Sequence, residues 1–119
     1  MTTSTAIIIL ASVTWYGEKH DGNYMANNDK FDMTAYTCAT YLYPLGTELV
    51  VKYGDKEVQV VVTDRCDELT DLDLSKASFA HIADLDTGRI NAEVIFDVNL
   101  QTNEWREKNG DPIDLTDSL

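Results

Sequence analysis

Apolar and polar positions alternate in short blocks along this chain, and the blocks are strand-sized. Residues 6–16 open with Ala6-Ile7-Ile8-Ile9-Leu10-Ala11 and end on Trp15 and Tyr16, a β-branched run with an aromatic end that predicts a first strand. Residues 17–33 are polar and rich in Gly, Asn and Asp, which predicts a long loop. Residues 36–42 predict a short strand, and Pro44-Leu45-Gly46 a turn. Residues 47–53 and 57–63 predict two strands joined through Gly54-Asp55-Lys56, a hairpin signal. The second of these alternates at Val58, Val60 and Val62 and then becomes a continuous valine run, the pattern of a strand covered on both faces. Residues 75–84 predict a helix. Asp73 or Ser75 can cap it, and Ala77, Phe79, Ala80, Ile82 and Ala83 form its apolar face. Residues 89–98 alternate again at Ile90, Ala92, Val94 and Phe96 and predict the last strand.

From Asn99 the chain turns polar, with a break at Asn109-Gly110-Asp111-Pro112. The expected organisation is one domain over residues 1–98 and a polar tail over 99–119. The tail is poorly suited to a core and is expected either to pack back on the domain or to meet a protein partner. Short strands, one helix and a long early loop suggest a small closed barrel, which also leaves no open sheet edge.

At 119 residues the chain is long enough for one compact domain with a modest core. The net charge of −12 argues against nucleic acid and anionic lipid as partners and leaves neutral or amino sugars, although acidity also serves solubility alone. No apolar run reaches the roughly 20 residues of a membrane span. The run at 6–11 has no basic segment before it and leads straight into Trp15-Tyr16-Gly17, so it reads as a strand and not as a signal peptide. Export would then need another route, or a leader outside this chain. Cys38 and Cys66 form no CxxC; they can pair or remain buried thiols. No cofactor is expected, and no metal, because His20, Asp21 and Asp29 lack a ligand spacing.

Candidate chemistry starts where the valine run meets Asp64-Arg65-Cys66, with Asp71-Leu72-Asp73-Leu74-Ser75 shortly after. A carboxylate ending a buried strand is costly unless it is partnered or used. Two such acids suggest glycan chemistry or sugar binding. Asp64 can serve as general acid, or as a structural carboxylate that pins a loop. Asp73 can hold a second sugar hydroxyl or tune Asp64, or it can cap the helix. Trp15 and Tyr16 each offer a face for sugar stacking, but strand alternation lets only one of them line a groove. Tyr41 and Tyr43 can extend that platform or simply pack. Arg65 can pair with Asp64 or grip a substrate carboxylate. His81 reads as a surface or packing residue, and Cys66 has no evident His partner.

Six pieces stand in order: Trp15-Tyr16-Gly17-Glu18-Lys19, Ala26-Asn27, Phe31-Asp32-Met33, Pro44-Leu45-Gly46-Thr47, Thr63-Asp64-Arg65 and Asp73-Leu74-Ser75. Together, over residues 13–98, they resemble the rare lipoprotein A-like double-psi β-barrel family, related to the barrels of expansins and barwin-like proteins. The resemblance implies a mainly β fold, a six-stranded double-psi barrel with one short helix, and a groove that binds peptidoglycan or another polysaccharide. In bacterial members the activity is lytic cleavage of glycan strands, where the muramic acid C6 hydroxyl is the nucleophile; in expansins it is wall loosening without hydrolysis. The family's key acid falls on Asp64, the expansin acid on Asp73 and a loop acid on Asp29. A His of the bacterial enzymes falls on Thr40, a departure that favours binding over cleavage. His20-Asp21 stands where a Phe-His pair is common.

Three readings follow. The first is a peptidoglycan-cleaving enzyme with Asp64 as acid. The second is an expansin-like binding module. The third is a structural barrel in a phage tail or virion. The expected location is extracellular, in the cell envelope, or on a virion.

Overall fold

The computed structural model describes residues 6–110. Among these, six strands close into a barrel in the order β1-β5-β2-β4-β3-β6. In chain order they are β1 (Ala6–Tyr16), β2 (Thr37–Ala39), β3 (Glu48–Tyr53), β4 (Lys56–Asp64), β5 (Leu72–Ser75) and β6 (Ile90–Asp97). Helix α1 (Lys76–Ile82) follows β5, and α2 (Asn103–Asn109) follows β6. Two contacts are parallel, β1 with β5 and β2 with β4, and the other neighbours are antiparallel.

The period-2 pattern fills the barrel. Ala11 and Val13 of β1, Leu49 and Val51 of β3, Val58, Val60 and Val62 of β4, and Ala92 and Val94 of β6 all point inward and are buried. Leu72 and Leu74 of β5 join them, and α1 adds Phe79 and Ile82. Ser75 caps α1, its hydroxyl accepting from the Ser78 amide at 3.2 Å.

The mainly β, six-stranded barrel matches the expectation, with two corrections. There are two α-helices among the described residues, not one. The sequence also marks only five strands; the sixth, β5, is four residues long with Asp73 inside it, so Asp73 is a strand residue and the cap falls to Ser75 alone.

The stretch after β6 packs on the barrel as far as it is described. Gln101 closes a strand end, its side chain accepting from the Glu48 amide at 2.7 Å and donating to the Glu48 and Asp97 carbonyls at 2.9 Å. Trp105 of α2 is buried; its indole tilts against Phe96 and its Nε1 donates to Thr47 Oγ1 at 2.7 Å. The expected break at Asn109-Gly110-Asp111-Pro112 begins as read, with α2 ending at Asn109 and Gly110 capping it at a φ of 81°; Asp111 and Pro112 lie outside the described residues. No described helix is long and apolar enough to cross a membrane.

Candidate functional site

The crossed strands bring both acids into one layer. Ala39 of β2 is in register with Asp64 of β4 on one side and with Asp73 of β5 on the other, and Thr14 of β1 is in register with Asp73. Two strand spacings put the two acids' Cα atoms roughly 10 Å apart. The residue between them carries only a methyl group, so nothing large fills the gap. A cleft of about 440 Å³ opens there, lined by Tyr16, His20, Tyr24, Arg65, Cys66, Asp67 and Thr70 together with the two acids.

The two carboxyls have different surroundings. Asp64 is half-buried, and its Oδ1 accepts from the amides of Ala26 at 3.0 Å and Arg65 at 2.9 Å. Those bonds tie the end of β4 to the long loop. Asp73 accepts from the Thr14 hydroxyl at 2.9 Å. Burial pushes its carboxyl above the usual range; the Thr14 bond and the charges of His20 and Arg89 oppose that shift, and Asp67 adds to it.

The Tyr16 ring lines the same cleft, stacked on Phe31 with centroids 4.2 Å apart and 11° between planes. Its hydroxyl is buried without a hydrogen-bond partner among the described residues. Burial, then the charges of Asp64 and Asp73, push its pKa far up, so it remains a neutral donor. Asp64 lies beside this hydroxyl but outside good hydrogen-bond geometry.

Arg65 does not ion-pair with Asp64. Its Nη1 donates to the carbonyls of Thr40 at 2.8 Å and Tyr43 at 2.6 Å, which staples the loop after β2 to the end of β4. Both cysteines are free thiols, Cys38 buried and Cys66 half-buried. Burial, then Asp73 and Asp67, push the Cys66 thiol up to about 11, which disqualifies it as a nucleophile near neutrality. The described residues hold no cluster of metal-ligating side chains.

Of the residues singled out from sequence, the cleft therefore collects Tyr16, His20, Asp64, Arg65, Cys66 and Asp73. Others lie elsewhere. Trp15 faces the other side of β1 and donates through Nε1 to the Leu85 carbonyl at 3.0 Å. Thr40 is fully buried, its hydroxyl donating to the Asp71 carbonyl at 2.7 Å, so it supports the strand end and cannot touch a substrate. Asp29 lines a separate hollow of about 520 Å³ between the loop at 26–29 and α2. Tyr41 donates to Asp71, Tyr43 stacks beside Phe96, and His81 on α1 meets the Tyr36 hydroxyl. Sequence reasoning missed Thr14, Tyr24, Asp67 and Thr70. Tyr24 carried a usable signal, an aromatic residue isolated in a Gly- and Asn-rich loop.

Known proteins share this chain's sequence pattern and barrel. The family described as lytic transglycolase matches residues 9–94. An uncharacterized protein of Synechocystis is 34% identical over 85 residues, covering 70% of this chain and 92% of that protein. The endolytic peptidoglycan transglycosylase RlpA of Pseudomonas aeruginosa is 30% identical over 118 residues, covering 94% of this chain but 33% of RlpA, so the chain spans about a third of that enzyme's length. Among solved structures, the Streptomyces papain inhibitor superposes with a TM-score of 0.63 at 26% identity, covering 76% of this chain and 93% of the inhibitor. A mutant expansin of Clavibacter michiganensis in complex with cellohexaose superposes with a TM-score of 0.59 at 20% identity, covering 76% of this chain and 50% of the expansin; at that identity the likeness is one of fold.

Proposed function

Because the chain belongs to the lytic transglycolase family of double-psi β-barrels, we propose that it cleaves peptidoglycan glycan strands by proton transfer in the cleft between Asp64 and Asp73. The observation that carries this reading is the pair itself: two carboxyls flank Ala39 in one open cleft, in unlike surroundings. Pairs whose environments differ in this way divide into donor and acceptor.

Lytic cleavage needs one proton given and one taken. The glycosidic oxygen is protonated as its bond to C1 breaks. The muramic acid C6 hydroxyl then closes on C1, and its proton passes to a carboxylate, so neither an enzymic nucleophile nor water is consumed. Asp73, which burial keeps protonated to higher pH, suits donation. Asp64, held through Oδ1 by two main-chain amides, suits the acceptor role through its other oxygen. The sequence alone suggested Asp64 as donor; the burial of Asp73 supports the reverse assignment. The neutral Tyr16 hydroxyl can donate to charge developing between them. A glycan-strand substrate puts the proposed site of action in the cell envelope.

One observation favours a binding-only, expansin-like reading. The position matching the bacterial His is Thr40, which is fully buried, and His20 is the imidazole that lines the cleft instead. Digestion of purified sacculi separates the two. Anhydro-muropeptides released by the parent and abolished in both Asp64→Asn and Asp73→Asn support cleavage. Co-sedimentation without products supports binding alone. If the parent neither binds nor cleaves, the glycan reading fails.

A further inference from the structure

We propose that Tyr24 is a stacking platform for a second sugar unit, a β-linked hexopyranose next to the one held over Asp64 and Asp73. This rests on the glycan reading of the cleft and names its neighbouring subsite.

Tyr24 is 74% exposed and lines the mouth of the cleft. A ring left in water on a mobile loop would carry no meaning, but this loop is held on every side. The Gly22 amide donates to the Phe31 carbonyl at 2.8 Å and the Phe31 amide to the Asn23 carbonyl at 2.7 Å, with Tyr24 bridged to Lys30 beyond them. On the other flank, the Met25 amide donates to the Asp29 carbonyl at 2.8 Å. Both Met25 and Phe31 are buried, so the residues around Tyr24 anchor the backbone while its ring stays outside.

The same segment is fastened to the reacting centre. Two residues after Tyr24, the Ala26 amide donates to Asp64 Oδ1. The backbone that carries the ring is thereby tied to the carboxylate, and little backbone ordering is left to pay for on binding.

One face of the ring already shows what it attracts. The Lys30 ammonium sits 5.7 Å from the ring centroid, and Lys30 is not among the residues that line the cleft. The opposite face offers the same negative quadrupole. The axial C–H groups of a β-linked hexopyranose carry partial positive charge on a flat apolar face, and they match it in shape and sign.

The test is calorimetric titration with the β-1,4-linked hexamer of N-acetylglucosamine. Tyr24→Ala is expected to weaken binding about tenfold, Tyr24→Phe to restore it, and Tyr53→Ala, an exposed aromatic at the β3–β4 turn, to leave it unchanged. On sacculi, Tyr24→Ala is expected to raise KM and spare kcat. Binding by Tyr24→Ala equal to the parent overturns the proposal, as does a Tyr24→Phe variant as weak as the alanine. If the parent still cleaves sacculi in that case, only the platform is lost. If the parent neither binds the hexamer nor cleaves sacculi, the reading of the cleft falls with it.

Discussion

Tyr16→Phe should make this protein more stable and less active at once. The hydroxyl it removes is buried with no partner in good geometry, and with the Asp64 carboxylate only beside it the cost falls toward the lower end of about 1–3 kcal/mol in the folded protein. Deleting one oxygen leaves a void smaller than a methyl group, so the cavity cost is a fraction of that gain. The ring keeps its stack on Phe31, because that contact uses the face and not the hydroxyl. The net gain should be about 1 kcal/mol, a rise of roughly 3–5 °C in Tm for a domain of this size. Activity should move the other way. Loss of a preorganised donor aimed at developing charge typically costs about a hundredfold or more in kcat. Thermal unfolding by circular dichroism and sacculus digestion with the same preparation give both numbers. A lower Tm together with unchanged turnover would refute the argument, since it would mean that the hydroxyl is satisfied in the fold and idle in the reaction.

Asp73→Asn should raise stability at neutral pH and lose that advantage in acid. The folded protein binds the Asp73 proton more tightly than the unfolded chain does, so stability falls as pH rises from the ordinary aspartate range through the raised value and stays lower above it. Unfolding midpoints for parent and variant between pH 3 and 8 should converge at the acid end; parallel curves would contradict the assignment. Trp105→Ala should destabilise by about 3–5 kcal/mol, because it empties a buried site and strands the Thr47 hydroxyl, which urea denaturation will measure. Cys66 should resist iodoacetamide in the native protein at pH 8, where a thiol of pKa near 11 is ionised in only about one molecule in a thousand. Rapid native labelling at that pH would count against the buried setting described for it.

What the sequence shows most clearly is what hydrophobic period alone determines. The valines of β4, the alternation of β6 and the apolar face of α1 each repeat often enough to declare their element. β5 does not. Leu72-Asp73-Leu74-Ser75 is too short to show a period, and its partner in register is Val13-Thr14-Trp15-Tyr16, 59 residues earlier. A strand defined by pairing that distant leaves little local trace. Trp105 was obscure for a related reason. It stands alone among polar neighbours, and its burial comes from contacts with Thr47 and Phe96.

The site shows the same division. Spacing placed Asp64 at the end of a covered strand, and strand alternation allowed only one of Trp15 and Tyr16 into a groove. Which one depends on the direction of the barrel interior, and the structure selects Tyr16. The fate of Asp29 turns on a single backbone torsion. Ala26 reaches Asp64, but Asn28 then takes a positive φ of 74°, a conformation that Asn tolerates better than most residues. The chain reverses there, and Asp29 leaves on the α2 side of the loop.

That reversal explains why the cleft depends on Asp73 for its second acid. With Asp29 turned away, the remaining carboxyl able to face Asp64 across Ala39 is the one that the parallel pairing of β5 with β1 brings into the same layer. The layer concentrates unfavourable terms: a carboxyl raised by burial, a hydroxyl without a partner and a thiol held neutral. Elsewhere in the barrel, buried polar groups such as Thr40, Thr47 and Ser75 are satisfied by defined partners. Thr37 Oγ1 on β2 lacks a partner as well, so what sets this layer apart is that it gathers a carboxyl, a hydroxyl and a thiol beside one open cleft, the arrangement expected where stability is given up for reactivity.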